Sequence, residues 1–223
     1  MIVGTIEIVN DKDNHIHNHN HNNNHNHNNN HNNNFTINYN THVYHNILID
    51  SFNLPYKSHF YAKNVCSLET YVNTNNFSIQ HAEKMIISIN NQLNRLSLYS
   101  LSVSFFDIND IFVIDSTHFL FANADKLYTT VNDTIKITEI YNKNNIFLPP
   151  EFKLNDKIPF ICHKNTGYYS LALVVLFSIK QSNFMFSDLS NNDILDYYKS
   201  TKTYFILHMC LMDNPDERNF IIF

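Results

Sequence analysis

Residues 101–125 read Leu-Ser-Val-Ser-Phe-Phe-Asp-Ile-Asn-Asp-Ile-Phe-Val-Ile-Asp-Ser-Thr-His-Phe-Leu-Phe-Ala-Asn-Ala-Asp. Three short apolar runs, 103–106, 111–114 and 119–122, are rich in Phe, Ile and Val and have the length of strands. Asp115-Ser116-Thr117 supplies the turn between the last two. Immediately upstream the period changes. Ile79, Ala82, Ile86, Ile89, Leu93 and Leu96 recur at spacings of three and four, which predicts a helix over 78–98 with one apolar stripe and Ser78 as its N-cap. Downstream, 129–165 reads as mostly loop, broken by Pro149-Pro150. Residues 166–180 are apolar on nearly every side, as in a helix buried in the middle of a fold. A further helix spans 201–212 and stops at Asp213-Asn214-Pro215. The tail 219–223 packs as a last short helix or an extended segment. The pattern is α+β, mainly α.

The 223 residues are 43% hydrophobic, enough for a core, and only 16% charged, with a net charge of -5. That balance excludes a strongly basic nucleic-acid binder. Asn dominates with 38 residues, while Gly occurs twice, as Gly4 and Gly167. Such usage points to an AT-rich coding genome. Glycine-rich phosphate loops need several positions of positive φ or close backbone approach, so Walker-type and dinucleotide-binding loops are excluded. Cys66, Cys162 and Cys210 are odd in number and far apart, with no Cys-x-x-Cys, which argues against structural zinc and for a reducing compartment. The longest apolar run, 171–179, is too short to cross a bilayer, and the N-terminus has no signal-type core. A soluble, intracellular protein is expected, with no membrane and no nucleic-acid partner.

Residues 1–10 alternate loosely, as in a short strand. The tract 11–34 is almost wholly His and Asn. It cannot bury enough apolar area to offset chain entropy, so disorder is expected. It carries His15, His17, His19, His21, His25, His27 and His31. Their imidazoles can hold Zn, Ni or Cu, but the spacing is irregular and no carboxylate orients them, so such binding is adventitious at most. Residues 35–65 contain alternating apolar segments, 43–49 and 59–65, which read as two or three strands.

Four stretches carry a resemblance to the C-terminal lobe of protein kinases. Residues 66–72, Cys-Ser-Leu-Glu-Thr-Tyr-Val, resemble the segment after the hinge. Leu148-Pro149-Pro150-Glu151 resembles Ala-Pro-Glu. Tyr169-Ser170-Leu171-Ala172 resembles the opening of the central helix. Cys210-Leu211 through Asn214-Pro215 to Arg218 resembles the late signature ending in Arg. The resemblance spans roughly 43–223, and its composition is similar to that of divergent kinase-like proteins of giant DNA viruses, which implies a host cytoplasmic setting. It implies a lobe over 66–223 with a reduced or absent N-terminal lobe, for which 35–65 is the remnant. It also implies a buried ion pair between Glu151 and Arg218.

The departures bear on activity. In the register that keeps the strand 111–114 aligned, the catalytic Asp falls on Phe105, the loop Lys on Asp107 and the metal-ligand Asn on Asp110. A rival register makes Asp107 the catalytic Asp and places Phe112 at the Asn; the first is preferred. Asn123-Ala124-Asp125 aligns with Asp-Phe-Gly, so Asp and Asn have exchanged places. Asp110 and Asn123 are both oxygen donors and together suit a hard cation such as Mg²⁺; the plainer reading is that Asp110 caps a turn and Asn123 satisfies backbone groups. No glycine-rich loop and no Lys–Glu pair is found; Lys57 and Lys63 are the only Lys between the His/Asn tract and residue 66. A Ser/His/Asp triad lacks its nucleophile elbow, and Cys162-His163 are neighbours whose side chains point apart. The resemblance therefore implies a kinase-like module without phosphotransfer, acting on an unidentified protein partner by binding or regulation. The alternatives are a divergent active kinase using ATP and Mg²⁺, and a structural or interaction protein unrelated to kinases.

Overall fold

The computed structural model describes residues 4–10, 35–39, 59–62, 64–183, 185 and 188–218. The His/Asn tract with His15, His17, His19 and His21, the expected strand 43–49, Lys57, Lys63 and the tail 219–223 lie outside them.

The N-terminal strand expected from alternation is present as β1 (Gly4–Asn10). It lies between β2 (Phe35–Tyr39), which runs antiparallel to it, and β3 (His59–Ala62), which runs parallel.

From residue 64 onward the chain is a mixed α and β arrangement. β4 (Val65–Ser67) leads straight into α1 (Leu68–Thr74), because the Ser67 hydroxyl accepts the Thr70 N–H at 3.1 Å and caps the helix. α2 (Ile79–Leu98) has the bounds its periodicity predicts. Its stripe, Ala82, Ile86, Ile89 and Leu96 with Met85 beside it, is buried. β5 (Leu101–Val103) follows, then a 3-10 turn at Ile108–Asp110 that runs into β6 (Ile111–Ile114). β6 pairs antiparallel with β4 on one side and with β7 (His118–Phe121) on the other. In the β6–β7 turn, Asp115 and Ser116 take positive φ (50° and 58°). Asp115 also ties the turn to β4, accepting the Asn64 N–H at 2.8 Å and donating its own to the Asn64 carbonyl at 2.9 Å. β7 is an edge strand, and its outward backbone groups are taken by a buried side chain: Gln92 of α2 donates to the Phe119 carbonyl at 2.9 Å and accepts from the Phe121 N–H at 3.0 Å.

The stretch expected as mostly loop, 129–165, holds a sheet instead. β8 (Leu127–Val131), β9 (Thr134–Ile137) and β10 (Phe160–His163) join β5 in the order β10-β9-β8-β5. Asn132 and Asp133, both at positive φ, make the tight hairpin turn between β8 and β9. Ile135 and Ile137 alternate inward with Thr134 and Lys136 less buried, a strand signal of only four residues that sits under a polar composition. They pack with Leu148, Phe152, Phe160 and Cys162 in a second core cluster. Phe152 belongs to α3 (Pro150–Leu154), one turn opened by a proline at its first position.

The apolar stretch forms α4 (Thr166–Ser182), which is buried on several sides and contacts α1, α2, α5 (Asn191–Tyr197) and α6 (Lys202–Cys210). α5, not expected from the sequence, is nucleated by a capping box in which Ser190 and Asp193 accept each other's backbone N–H. Gly167 is required where it stands. A Cβ there would lie 2.5 Å from the Val103 carbonyl oxygen, so α4 can approach β5 only with glycine at this position. None of the helices among the described residues is long and apolar enough to cross a membrane.

Candidate functional site

The segment between β5 and β6 and the turn after β7 meet, and they carry the residues singled out from the sequence. Asp110 is the last residue of the 3-10 turn before β6 and is only 6% exposed. Its backbone is held from both sides: its N–H donates to the Asp107 carbonyl at 3.0 Å, and its carbonyl accepts from Ala122 at 2.9 Å. Asn123 is the N-cap of a second 3-10 turn, Ala124–Lys126, with its side-chain oxygen accepting the Asp125 N–H at 3.1 Å. The β6–β7 hairpin brings the two turns together, and the Asn123 amide donates to Asp110 Oδ1 at 2.6 Å.

A third residue, absent from the sequence reading, completes the cluster. Lys126 closes the second turn, and its ammonium donates to Asp110 Oδ2 at 2.5 Å and sits 4.0 Å from the centre of the Phe105 ring. Lys126 is the only Lys or Arg between Arg95 and Lys136, a signal that the sequence did carry. Asp110 Oδ2 also accepts the Asp107 N–H at 2.7 Å. Both carboxylate oxygens of Asp110 therefore face hydrogen donors, and Asn123 turns its NH₂ rather than its oxygen toward the carboxylate. A divalent cation needs converging oxygens, and this donor set as folded does not fit one.

Phe105, where the resemblance implies the catalytic Asp, packs edge-on against Phe152 at 5.4 Å and joins the second core cluster. It has no group to accept a proton. Asp107 is half-buried; its carboxylate accepts from the Asn109 N–H at 3.1 Å and from the Asn145 amide at 2.6 Å. The preceding backbone is fixed from α4, where Ser170 Oγ accepts the Phe106 N–H at 2.7 Å and itself donates to the Gly167 carbonyl at 2.9 Å.

Glu151 and Arg218 meet, 67 residues apart in the chain. Arg218 Nη1 donates to Glu151 Oε1 at 2.6 Å, Nε to the Met212 carbonyl at 2.7 Å and Nη2 to the Asp213 carbonyl at 2.9 Å. The Arg218 side chain is wholly buried, with its guanidinium 4.9 Å from the Tyr169 ring centre. A charge so placed is tolerable because each edge of the guanidinium has an acceptor.

Burial pushes the Cys162 thiol up to about 12, which makes it a poor nucleophile beside His163. His163 instead receives the Asn165 N–H on Nδ1 at 3.2 Å and reaches Asp216 through Nε2 at 3.0 Å. A cavity of about 250 Å³ lies elsewhere, lined by Leu93, Ser97, Ser102, Thr130 and Lys164, and touches none of the candidate residues. Its Lys164 is paired with Asp133. Among the described residues no group of three or more His, Cys, Asp and Glu stands together so as to hold a metal. The sequence matches no family model, and comparison with curated proteins returns no match.

Proposed function

We propose that this chain is a protein-kinase-like module that does not transfer phosphate and acts by binding a protein partner. The meeting of Glu151 with the buried Arg218 carries the reading. Two residues chosen from separate motifs come within 2.6 Å, in the ion pair that the resemblance implies. The first register is supported in the same way, since it alone assigns Asp110 and Asn123 as a pair, and they touch. Against that preserved frame, the position of the proton acceptor holds Phe105, packed on Phe152.

A divergent active kinase would have to use Asp107, whose carboxylate is engaged by Asn145 and the Asn109 N–H. Incubation of the full chain with γ-labelled ATP, Mg²⁺ or Mn²⁺ and a generic acceptor protein separates the two. The expected result is label incorporation no higher than in a protein-free control. Incorporation above that control that is lost in Asp107→Ala would overturn the proposal.

A further inference from the structure

The Asp110 carboxylate is almost fully buried, and one cation meets it. Removing a carboxylate from water is costly unless a positive charge replaces the lost hydration. Lys126 supplies that charge from a fixed place. Its backbone N–H donates to the Asn123 carbonyl, and its own carbonyl accepts the Ser104 N–H at 3.1 Å. The head group is then centred between the Asp110 carboxylate and the face of Phe105, which attracts a cation through its ring quadrupole. Phe105 and Lys126 thus act together: the aromatic ring that replaces a proton acceptor forms one wall of the seat for the ammonium.

We propose that the Lys126 ammonium is a tethered cation that fills the place of a divalent metal at Asp110 and so closes this position to Mg²⁺. The inference rests on the preceding reading for the identity of the position, while the ion pair itself does not. Wild-type protein is then blind to Mg²⁺, and removal of the ammonium opens the carboxylate to it.

The test is thermal unfolding of the full chain in EDTA and in about 10 mM MgCl₂ at matched ionic strength. Mg²⁺ is chosen because imidazoles favour Zn, Cu and Ni, which leaves the His/Asn tract indifferent to it. Lys126→Met keeps an unbranched apolar side chain at this position and removes the charge. The wild type is expected to melt at the same temperature in both buffers. Lys126→Met should melt lower in EDTA and recover about 2–4 °C in Mg²⁺, the shift produced by a ligand at several times its Kd. Lys126→Met combined with Asp110→Asn should lose the Mg²⁺ response. Should Lys126→Met fail to fold, Lys126→Gln, whose amide still donates to Asp110, gives the same comparison. A Mg²⁺ response in the wild type that Asp110→Asn abolishes would overturn the inference. So would Lys126 variants that fold and ignore Mg²⁺, which would make the pair purely structural. The melting comparison reads Mg²⁺ binding alone and the labelling assay reads phosphate transfer alone, so failure of this inference and failure of the proposed function are told apart.

Discussion

Arg218 shows what a single side chain must satisfy to stay charged in a core. Its guanidinium has one carboxylate, two carbonyls and a ring face around it, so that each of its three nitrogens has an acceptor. Truncation leaves Glu151 and two carbonyls without their donor. Arg218→Ala is therefore expected to lower unfolding free energy by about 3–5 kcal/mol, read by urea denaturation. A loss below about 1 kcal/mol would mean that the pair is solvated in solution. Of its partners, only Glu151 was expected, through the resemblance to kinases; the two carbonyls and the Tyr169 ring came from the fold. Lys126 was legible only as an isolated positive charge, because nothing local says that a hairpin will fold it back onto Asp110.

At the scale of elements, α2 begins with an unusual cap. The third helical position is His81, whose Nδ1 accepts the Ser78 N–H at 3.1 Å, so the proton sits on Nε2, 3.2 Å from the Tyr71 hydroxyl. Phe77 lies beside the ring. Protonation turns both ring nitrogens into donors and breaks the cap. Burial first, and the neighbouring Lys84 second, hold the His81 pKa below its ordinary 6.5. The unfolded chain thus binds the proton more tightly. The contribution of neutral His81 is fully present above about pH 6.5, falls as pH drops below that value, and stops changing under the depressed folded pKa. Urea unfolding at pH 7.5 and 5.5 should show the wild type losing more stability on acidification than His81→Gln. Equal losses in both proteins would contradict the cap. Helix α2 itself was predictable to the residue because twenty residues repeat one period. The β8–β9 hairpin is not legible in the sequence because each arm is too short for its alternation to stand out, even with Asn132-Asp133 at the turn.

For the whole molecule, the main core and the smaller cluster under β9 and β10 meet at the segment 103–106, where Val103 and Phe106 face the first and Phe105 the second. The thiols report on both. Burial pushes the Cys162 thiol to about 12, raises Cys210 further, and raises the half-buried Cys66. A raised pKa lowers the thiolate fraction that reacts. Native protein at pH 8 should therefore show Cys162 and Cys210 protected from a thiol-specific disulfide reagent, with all three cysteines reacting in denaturant. Rapid reaction of more than one thiol in the native state would show that these clusters are open.

Composition and periodicity alone determined that the chain has a core, that α2 and α4 are helices with a striped and a surrounded face, and that two strands follow residue 110. They could do so because those signals are local and repeat over many residues. The expected strand 103–106 is instead mostly irregular backbone, with β5 ending at Val103. The tertiary structure alone decided that 127–163 contributes three strands to a sheet with β5, that Gly167 must be glycine to admit the Val103 carbonyl, and that Lys126 meets Asp110. The pairing of β10 with β9 and of β8 with β5, the approach of α4 to Val103 and the ion pair at Asp110 all join segments distant in sequence, and the local pattern at each of them is too short or too isolated to name its partner.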